Sequence, residues 1–262
     1  MLLSKRKQAI MNLLYEKRSM SFRELIKHFD VAPATMRRDI TSLEKAGMLL
    51  RTRGEVHYSS RNGSGMEEAI PSFFVRNELN VTDKEKIARK AASLISDGMT
   101  IIFDSGSTTT AIANKITDKV VTVVTNSLDI VYELLQSKAQ VISCGGMLMA
   151  KDMCFLGPDA EHFISKIEVD ILFLGATGVR NLEGLTTSSP LHYNIKKTMI
   201  KAAKKRCAVF DLSKFSSANL FVFSDLTDLD MIITTRPPAG SPEEEKINRI
   251  RDLGVEVLLA DD

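Results

Sequence analysis

Val31-Ala32-Pro33-Ala34-Thr35-Met36-Arg37-Arg38-Asp39-Ile40-Thr41-Ser42-Leu43-Glu44-Lys45-Ala46-Gly47 is the stretch that decides the fold of the N-terminal part of this chain. Met36, Ile40 and Leu43 recur at i, i+4 and i+7, the apolar face of an amphipathic helix. At about 100° per residue the opposite face carries Ala34, Arg38, Thr41, Ser42 and Lys45, flanked by Thr35 and Arg37. That outer face has small residues, hydroxyls and cations but no carboxylate. It can enter a DNA major groove without repelling phosphate.

The neighbouring segments fit the same reading. Residues 4–17 form a first helix with Ile10, Leu13 and Leu14 on one face. Ser21 and Glu24 stand at capping-box spacing and open a short second helix whose Leu25, Ile26 and Phe29 face inward. Residues 30–32 make a turn, Pro33 suits the first position of the third helix, and Gly47 suits its end. Residues 48–58 then read as two short strands around Gly54, a wing. Residues 1–61 hold 13 Lys+Arg against 6 Asp+Glu, a net of +7; the remaining 201 residues hold 22 against 27, a net of −5. The whole-chain +2 therefore hides a basic head on an acidic body, the electrostatic footprint of phosphate binding. A three-helix bundle with another partner is the competing reading.

Length and composition set the bounds. At 262 residues the prior is two domains, and 44% apolar with 26% charged residues is ordinary for a globular protein. No run of 18 apolar residues exists, so no membrane partner is expected, and Met1 to Lys7 does not open a signal peptide. Three cysteines without CxxC spacing read as reduced thiols and a cytoplasmic location. The four scattered histidines give no metal site, and nothing asks for a cofactor.

The expected division is 1–60 for the head, 61–80 for a polar, glycine-rich linker and 81–262 for a second domain. In that domain β-branched apolar runs alternate with helices: helix 83–96, strand 100–103, helix 108–117, strand 120–124, helix 127–137 and strand 140–143. Helix 158–167, strand 169–174, helix 190–205, strand 207–210, strand 231–234, helix 242–253 and strand 255–259 follow. This is an α/β pattern with a mostly parallel sheet covered on both faces. Ligands of such sheets bind at the carboxyl ends of the strands. Those ends are small and polar here: Asp104-Ser105-Gly106-Ser107-Thr108-Thr109, Thr125-Asn126-Ser127, Cys144-Gly145-Gly146, Gly175-Ala176-Thr177-Gly178 and Asp211-Leu212-Ser213-Lys214-Phe215. Glycine and hydroxyls at strand-to-helix turns offer backbone N–H groups to an anion. The reading places phosphate near Gly106 to Thr109, hydroxyls near Asp104, Asn126 and Thr177, and Lys214 as counter-charge. Taken singly, each turn has a plain structural explanation: a helix cap at Thr125-Asn126-Ser127, backbone conformation at Gly145 and Gly146, a capped turn at Asp211.

The head resembles the DeoR-type bacterial repressors in Thr35-Met36-Arg37-Arg38-Asp39, Leu43-Glu44, Gly47 and Arg51-Thr52-Arg53-Gly54. The second domain resembles the sensor of that family in the strand-end motifs above and in Gly157-Pro158 and Gly184-Leu185-Thr186-Thr187. The resemblance implies a winged helix-turn-helix joined to an α/β sensor similar in fold to ribose-5-phosphate isomerase. It also implies a regulator of sugar metabolism, not an enzyme, with operator DNA and a phosphorylated sugar as partners. On that reading Arg38, Thr41, Ser42 and Lys45 meet base edges or backbone, while Thr35 flanks them and Arg37, Arg51 and Arg53 hold phosphates. A symmetric dimer or higher assembly is expected, because one head buries little surface. An isomerase-like enzyme with a fused head and an activator remain alternatives. Four departures stand out: Ala32 and Glu55 where the family has Ser and Gly, Met147 to Ala150 where it has Arg after Gly-Gly, and Leu191-His192-Tyr193 where it has Glu-Ala.

Overall fold

A computed structural model of the chain describes residues 5–17, 19–45, 49–51, 55–58 and 72–261. It divides into two compact units, Met1–Asn80 and Val81–Asp262, and among the described residues no helix is long and apolar enough to cross a membrane.

The first unit contains α1 (Lys5–Lys17), β1 (Ser19–Ser21), α2 (Phe22–Phe29), α3 (Pro33–Lys45), β2 (Leu49–Arg51), β3 (Glu55–Tyr58) and α4 (Phe73–Glu78). Ser21 accepts from the Glu24 N–H while Glu24 accepts from the Ser21 N–H, so the capping box is formed at both ends. Asp30 ends α2 in the left-handed region. Ala32 then starts α3 with its carbonyl alone, accepting from the N–H groups of Thr35 and Met36. Ile10, Leu14, Leu25, Met36, Ile40 and Leu43 form the core. The hairpin β2–β3 is present, and β1, which periodicity did not reveal, pairs antiparallel with β3 to make a three-stranded sheet in the order β1-β3-β2. Three residues are too few for a period-2 signal. The stretch 61–80, expected as a linker, ends in α4, whose Val75 joins the head core together with Leu79. Gly47 and the wing tip, Thr52 to Gly54, lie outside the described residues.

The second unit runs α5 (Val81–Ala92), β4 (Thr100–Phe103), α6 (Ser107–Ala113), β5 (Thr122–Thr125), α7 (Leu128–Glu133), β6 (Gln140–Ser143), β7 (Met147–Met149), β8 (Cys154–Leu156), α8 (Pro158–Ile164), β9 (Val169–Gly175), β10 (Gly178–Arg180), β11 (Gly184–Thr187), α9 (Pro190–Ala202), β12 (Ala203–Val209), a 3₁₀ turn (Leu212–Ser216), β13 (Phe221–Asp225), β14 (Met231–Thr235), α10 (Pro242–Asp252) and β15 (Glu256–Ala260). Seven strands form one sheet in the order β15-β14-β12-β9-β4-β5-β6. Every neighbouring pair in it is parallel. Alternate residues serve its two faces. Ile101, Phe103, Val123 and Phe173 pack against α5, α6 and α7. Ile102, Val124, Leu172 and Leu174 pack against α8, α9 and α10.

The strands expected from apolar runs are there with shifted ends. Helix 190–205 stops at Ala202 because its last turn continues straight into β12. The hairpin β7–β8 and the antiparallel sheet β10-β11-β13 were not read from the sequence. Their strands are only three to five residues long, and in the second a bulge between Leu185 and Thr186 breaks the alternation.

The chain leaves β4 outward through β5 to β6, then returns to β9 on the other side and proceeds outward again. The strand order reverses between β4 and β9, and the crevice at their carboxyl ends is the topological switch point. Phe103 and Phe173 stack at 5.4 Å just below it. Phe173→Ala removes a fully buried ring and is expected to cost about 3–5 kcal/mol. Because the units have separate cores, scanning calorimetry of the full chain should show the sensor transition falling while the head transition stays in place. A matching fall in both transitions would contradict the two-unit division.

Candidate functional site

In the head, packing of Met36, Ile40 and Leu43 inward fixes which face of α3 is presented. Asp39 is turned in as well: its carboxylate is nearly buried and accepts a 2.6 Å hydrogen bond from Arg6 Nε of α1. The one acid within the Thr35–Ser42 run is thereby withdrawn from the outer face. Ala34, Arg37, Arg38, Thr41 and Ser42 line a concave surface. Lys7 donates to the Ser42 hydroxyl at 2.7 Å, which adds a cation at its edge. The guanidinium groups of Arg37 and Arg51 each lie 5.7 Å from the Phe22 ring, so one aromatic ring of α2 orients both. Arg51 also reaches Glu44 at 4.0 Å. Thr35 is half-buried at the start of this face. The Lys45 side chain and Arg53 lie outside the described residues.

In the sensor, the switch-point crevice is built around Asp104, whose side chain is fully buried at the end of β4. Its Oδ2 accepts from the Gly175 N–H at the end of β9, 3.0 Å away, and from Lys196 Nζ of α9. Lys196 is itself buried, donates to the Gly175 carbonyl at 2.9 Å and lies 5.1 Å from the Phe223 ring. Asp104 Oδ1 is buried and has no hydrogen-bond partner. A buried carboxylate oxygen left without a donor is costly, which makes this atom the candidate acceptor of the crevice.

Lys196 was not singled out from the sequence. The signal was there: it interrupts the apolar face of α9 between Ile195 and Met199, where a helix of this kind places only core residues. Lys84, buried on α5 ahead of Ile87 and Ala88, shows the same signature.

The other expected residues fall into two groups. Several have their polar atoms taken up inside the protein. Thr109 Oγ1 donates to the carbonyls of Asp104 and Gly106, 2.6 and 2.7 Å away. Asn126 Oδ1 accepts from the Ser105 N–H at 3.0 Å, and its Nδ2 donates to the Phe155 carbonyl at 3.2 Å and to Ser105 Oγ at 3.4 Å. Thr177 Oγ1 donates to the Thr186 carbonyl at 2.7 Å and accepts from Asn219 Nδ2 at 2.9 Å. These groups shape the turns around the crevice. Gly146 is also conformational: at φ +106°, an added Cβ would lie 2.7 Å from the Leu156 carbonyl oxygen. Gly145, at φ +68°, has open space where its Cβ would be. The second group, Gly106, Ser107 and Thr108, leads into α6 beside Asp104, with Ser105 and Ser107 almost buried.

Asp211 and Lys214 belong to a neighbouring charged cluster at the end of β12. Asp211 caps its own turn by accepting from the Ser213 N–H at 3.0 Å and from the Ser213 hydroxyl. Burial works to raise its carboxyl, but Lys214, the Ser213 hydroxyl and Lys84 outweigh burial and hold it below the usual range. Asp83 is pushed the other way, by burial first and then by the nearby Asp211 charge. The three cysteines are buried thiols outside any disulfide. Burial lifts the Cys144 thiol to about 11, so it stays protonated. Among the described residues no cluster of His, Cys, Asp and Glu is arranged to hold a metal.

With this geometry established, comparison with known proteins is specific. The model of the DeoR C-terminal sensor domain matches residues 79–236, and that of the DeoR-like helix-turn-helix domain matches residues 6–62. An uncharacterized HTH-type transcriptional regulator of Haemophilus influenzae is 31% identical over 261 residues, 99% of this chain and 98% of its own. The transcriptional repressor AccR of Agrobacterium fabrum is 33% identical over 232 residues, covering 87% and 88%. The L-fucose operon activator of Escherichia coli is 29% identical over 230 residues, covering 87% and 93%. Among solved structures, ribose 5-phosphate isomerase A of Methanocaldococcus jannaschii overlaps 52% of this chain and 55% of its own at 20% identity and a TM-score of 0.39.

Two outcomes follow from the buried charges. Lys196→Met strands the Asp104 carboxylate and should lower the sensor's stability by about 3–5 kcal/mol, while Lys196→Met with Asp104→Asn should recover most of that loss. Denaturant titration of the single and double variants checks this; equal losses in both would mean that charge is not the cause. Asp211 has a depressed folded-state value. Its contribution is therefore fully present above its unfolded value of about 3.9 and is lost as pH falls through the lower folded value. Asp211→Asn should flatten that acid limb of stability against pH and leave the slope between pH 6 and 8 unchanged.

Proposed function

The chain belongs to the DeoR family of DNA-binding transcriptional regulators, and we propose that it controls a sugar-metabolism operon through a phosphorylated sugar held at the β4/β9 crevice. A regulator, not an enzyme, is what its family and relatives are. The observation that carries the proposal is the buried Asp104–Lys196 pair with one carboxylate oxygen left unpartnered. In this reading a sugar hydroxyl donates to Asp104 Oδ1. The phosphate lies against the backbone and hydroxyls of Gly106 to Thr108, between the turns that Ser105 and Thr109 hold, with Lys214 and the Asp211 turn on the outer side. Asn126, Thr177, Gly145 and Gly146 shape the walls.

On the head, Arg38 and Thr41 read base edges from the concave face of α3. Arg37, Arg51 and Lys7 hold phosphates, joined by Lys45 and Arg53. One helix-turn-helix contacts one half-site, so a symmetric dimer or higher assembly on a two-fold operator follows, at work in the cytoplasm. The relatives include a repressor and an activator by name. We assign repression, the sign for which a head that occludes DNA suffices.

The test uses full-length protein and a duplex selected from a random pool. Arg38→Ala should weaken specific binding by about 1–3 kcal/mol, if Arg38 reads a guanine edge. Arg37→Ala should weaken all sequences alike and flatten the salt dependence. Lys214→Ala should raise the concentration of sugar phosphate needed to release that duplex by about tenfold, ~1.4 kcal/mol. Unchanged specific affinity in Arg38→Ala refutes the face assigned to DNA. Equal binding of a sugar and its phosphate ester refutes the anion site.

A further inference from the structure

Two of the segments where the sequence parts from the family pattern, 147–150 and 191–193, are separated by some forty residues of chain. The fold brings their surroundings together. His192 Nε2, in the first turn of α9, lies 3.3 Å from Asp152 Oδ2, in the turn between β7 and β8. Both side chains are largely shielded, at 14% and 21% exposure. The hairpin that carries Asp152 is tied to the strand ends: the Leu128 N–H donates to the Met153 carbonyl at 2.8 Å and the Phe155 N–H to the Asn126 carbonyl at 2.7 Å. α9 packs against β8 on the same side.

His192 precedes Lys196 by four residues, so the two side chains stand one above the other on a single face of α9. Lys196 is fixed on Asp104 and Gly175 at the switch point. His192 therefore stands about one helical turn, ~5–6 Å, farther along the face that borders the crevice. That spacing is comparable to the reach from a ring hydroxyl of a pentose or hexose to its phosphate. Nδ1 of His192 makes no hydrogen bond among the described residues, and so is available to a ligand.

We propose that His192, oriented by Asp152, is a specificity-determining residue of the effector site. It meets the end of a phosphorylated sugar that lies away from Asp104 and Lys196. Asp152 is the positioning residue: by holding Nε2 it fixes the ring and the tautomer that Nδ1 presents. With Nε2–H donating to the Asp152 carboxylate, Nδ1 of the neutral ring is an acceptor, and an acceptor at a fixed place discriminates among esters that differ in where a hydroxyl stands relative to the phosphate. A site that hydrogen-bonds a substrate hydroxyl rejects analogues lacking it strongly, because its own polar group is left unpaired. The inference rests on the effector reading above, and the experiment separates the two.

Binding of D-glucose 6-phosphate, D-fructose 6-phosphate, D-fructose 1-phosphate, D-ribose 5-phosphate and inorganic phosphate is measured calorimetrically on the full-length protein. The variants are His192→Leu, His192→Gln, Asp152→Asn and Lys196→Gln. Folding of each is verified by circular dichroism, and His192→Gln replaces His192→Leu if the latter does not fold. In His192→Leu the affinity ratio between the best and second-best ester is expected to change at least tenfold. Asp152→Asn should move the same ratio in the same direction by a smaller factor, and inorganic phosphate should bind as in the wild type. A merely structural role would lower all esters by one common factor, and that result overturns the proposal, as does an unchanged ratio. Loss of all ester binding in Lys196→Gln with an unchanged ratio in the His192 variants overturns the role of His192 alone. If no probe binds the wild type, or Lys196→Gln binds all of them normally, the effector reading fails and takes this proposal with it.

Discussion

The sensor unit turns on one buried ion pair. Asp104 ends the strand from which the sheet grows outward in both directions, and Lys196 comes to it from a helix that follows β9 and β11 in the chain. Taking two charges out of water costs several kcal/mol per ion, and their attraction offsets this only where geometry and further hydrogen bonds are good. Here the Gly175 N–H serves the carboxylate, and the Gly175 carbonyl and the Phe223 ring serve the ammonium. The pair therefore ties β4, β9, α9 and the antiparallel sheet to one point. Oδ1 of Asp104 is what that arrangement leaves over. The same constraint that locates α9 leaves one unsatisfied acceptor at the switch point.

Around this point most hydroxyls and amides act on the protein itself. Asn126 holds the Ser105 turn, Thr109 closes the loop that begins α6, and Thr177 and Thr186 pin the start of the antiparallel layer. The walls of the crevice are thus preformed, with few groups left to reorganise. The head obeys a similar economy. Its buried acid, Asp39, joins α1 to α3 through Arg6, and the concave face lined by Ala34, Arg37, Arg38, Thr41 and Ser42 carries no carboxylate.

Periodicity found nearly every long element, since a helix of 11 to 13 residues or an apolar strand of β-branched residues repeats its pattern often enough to be read. It did not find β1, β7, β8, β10, β11 or β13. Each is three to five residues long, too short for a period-2 signal, and β1 and β13 pair with partners distant in the chain. The strand-end motifs were legible as a set because glycine, serine and threonine at the end of an apolar run are conspicuous. Which of them keep a free polar atom was not legible, because a hydroxyl bound to a carbonyl and one left for a ligand are written with the same letter. Lys196 and Lys84 were legible in principle, as cations on apolar helix faces.

The sequence by itself determined the two-part division of charge, the face of α3 that turns outward, and the alternation that makes a parallel sheet covered on both faces. Local patterns settle those matters, because side-chain spacing fixes which residues share a face. Only the tertiary structure decided the order of the strands, and with it the reversal between β4 and β9. It alone brought Lys196 to Asp104 across 92 residues and His192 to Asp152 across 40. Long-range pairing depends on how complementary surfaces pack in three dimensions, and no periodicity along the chain records that.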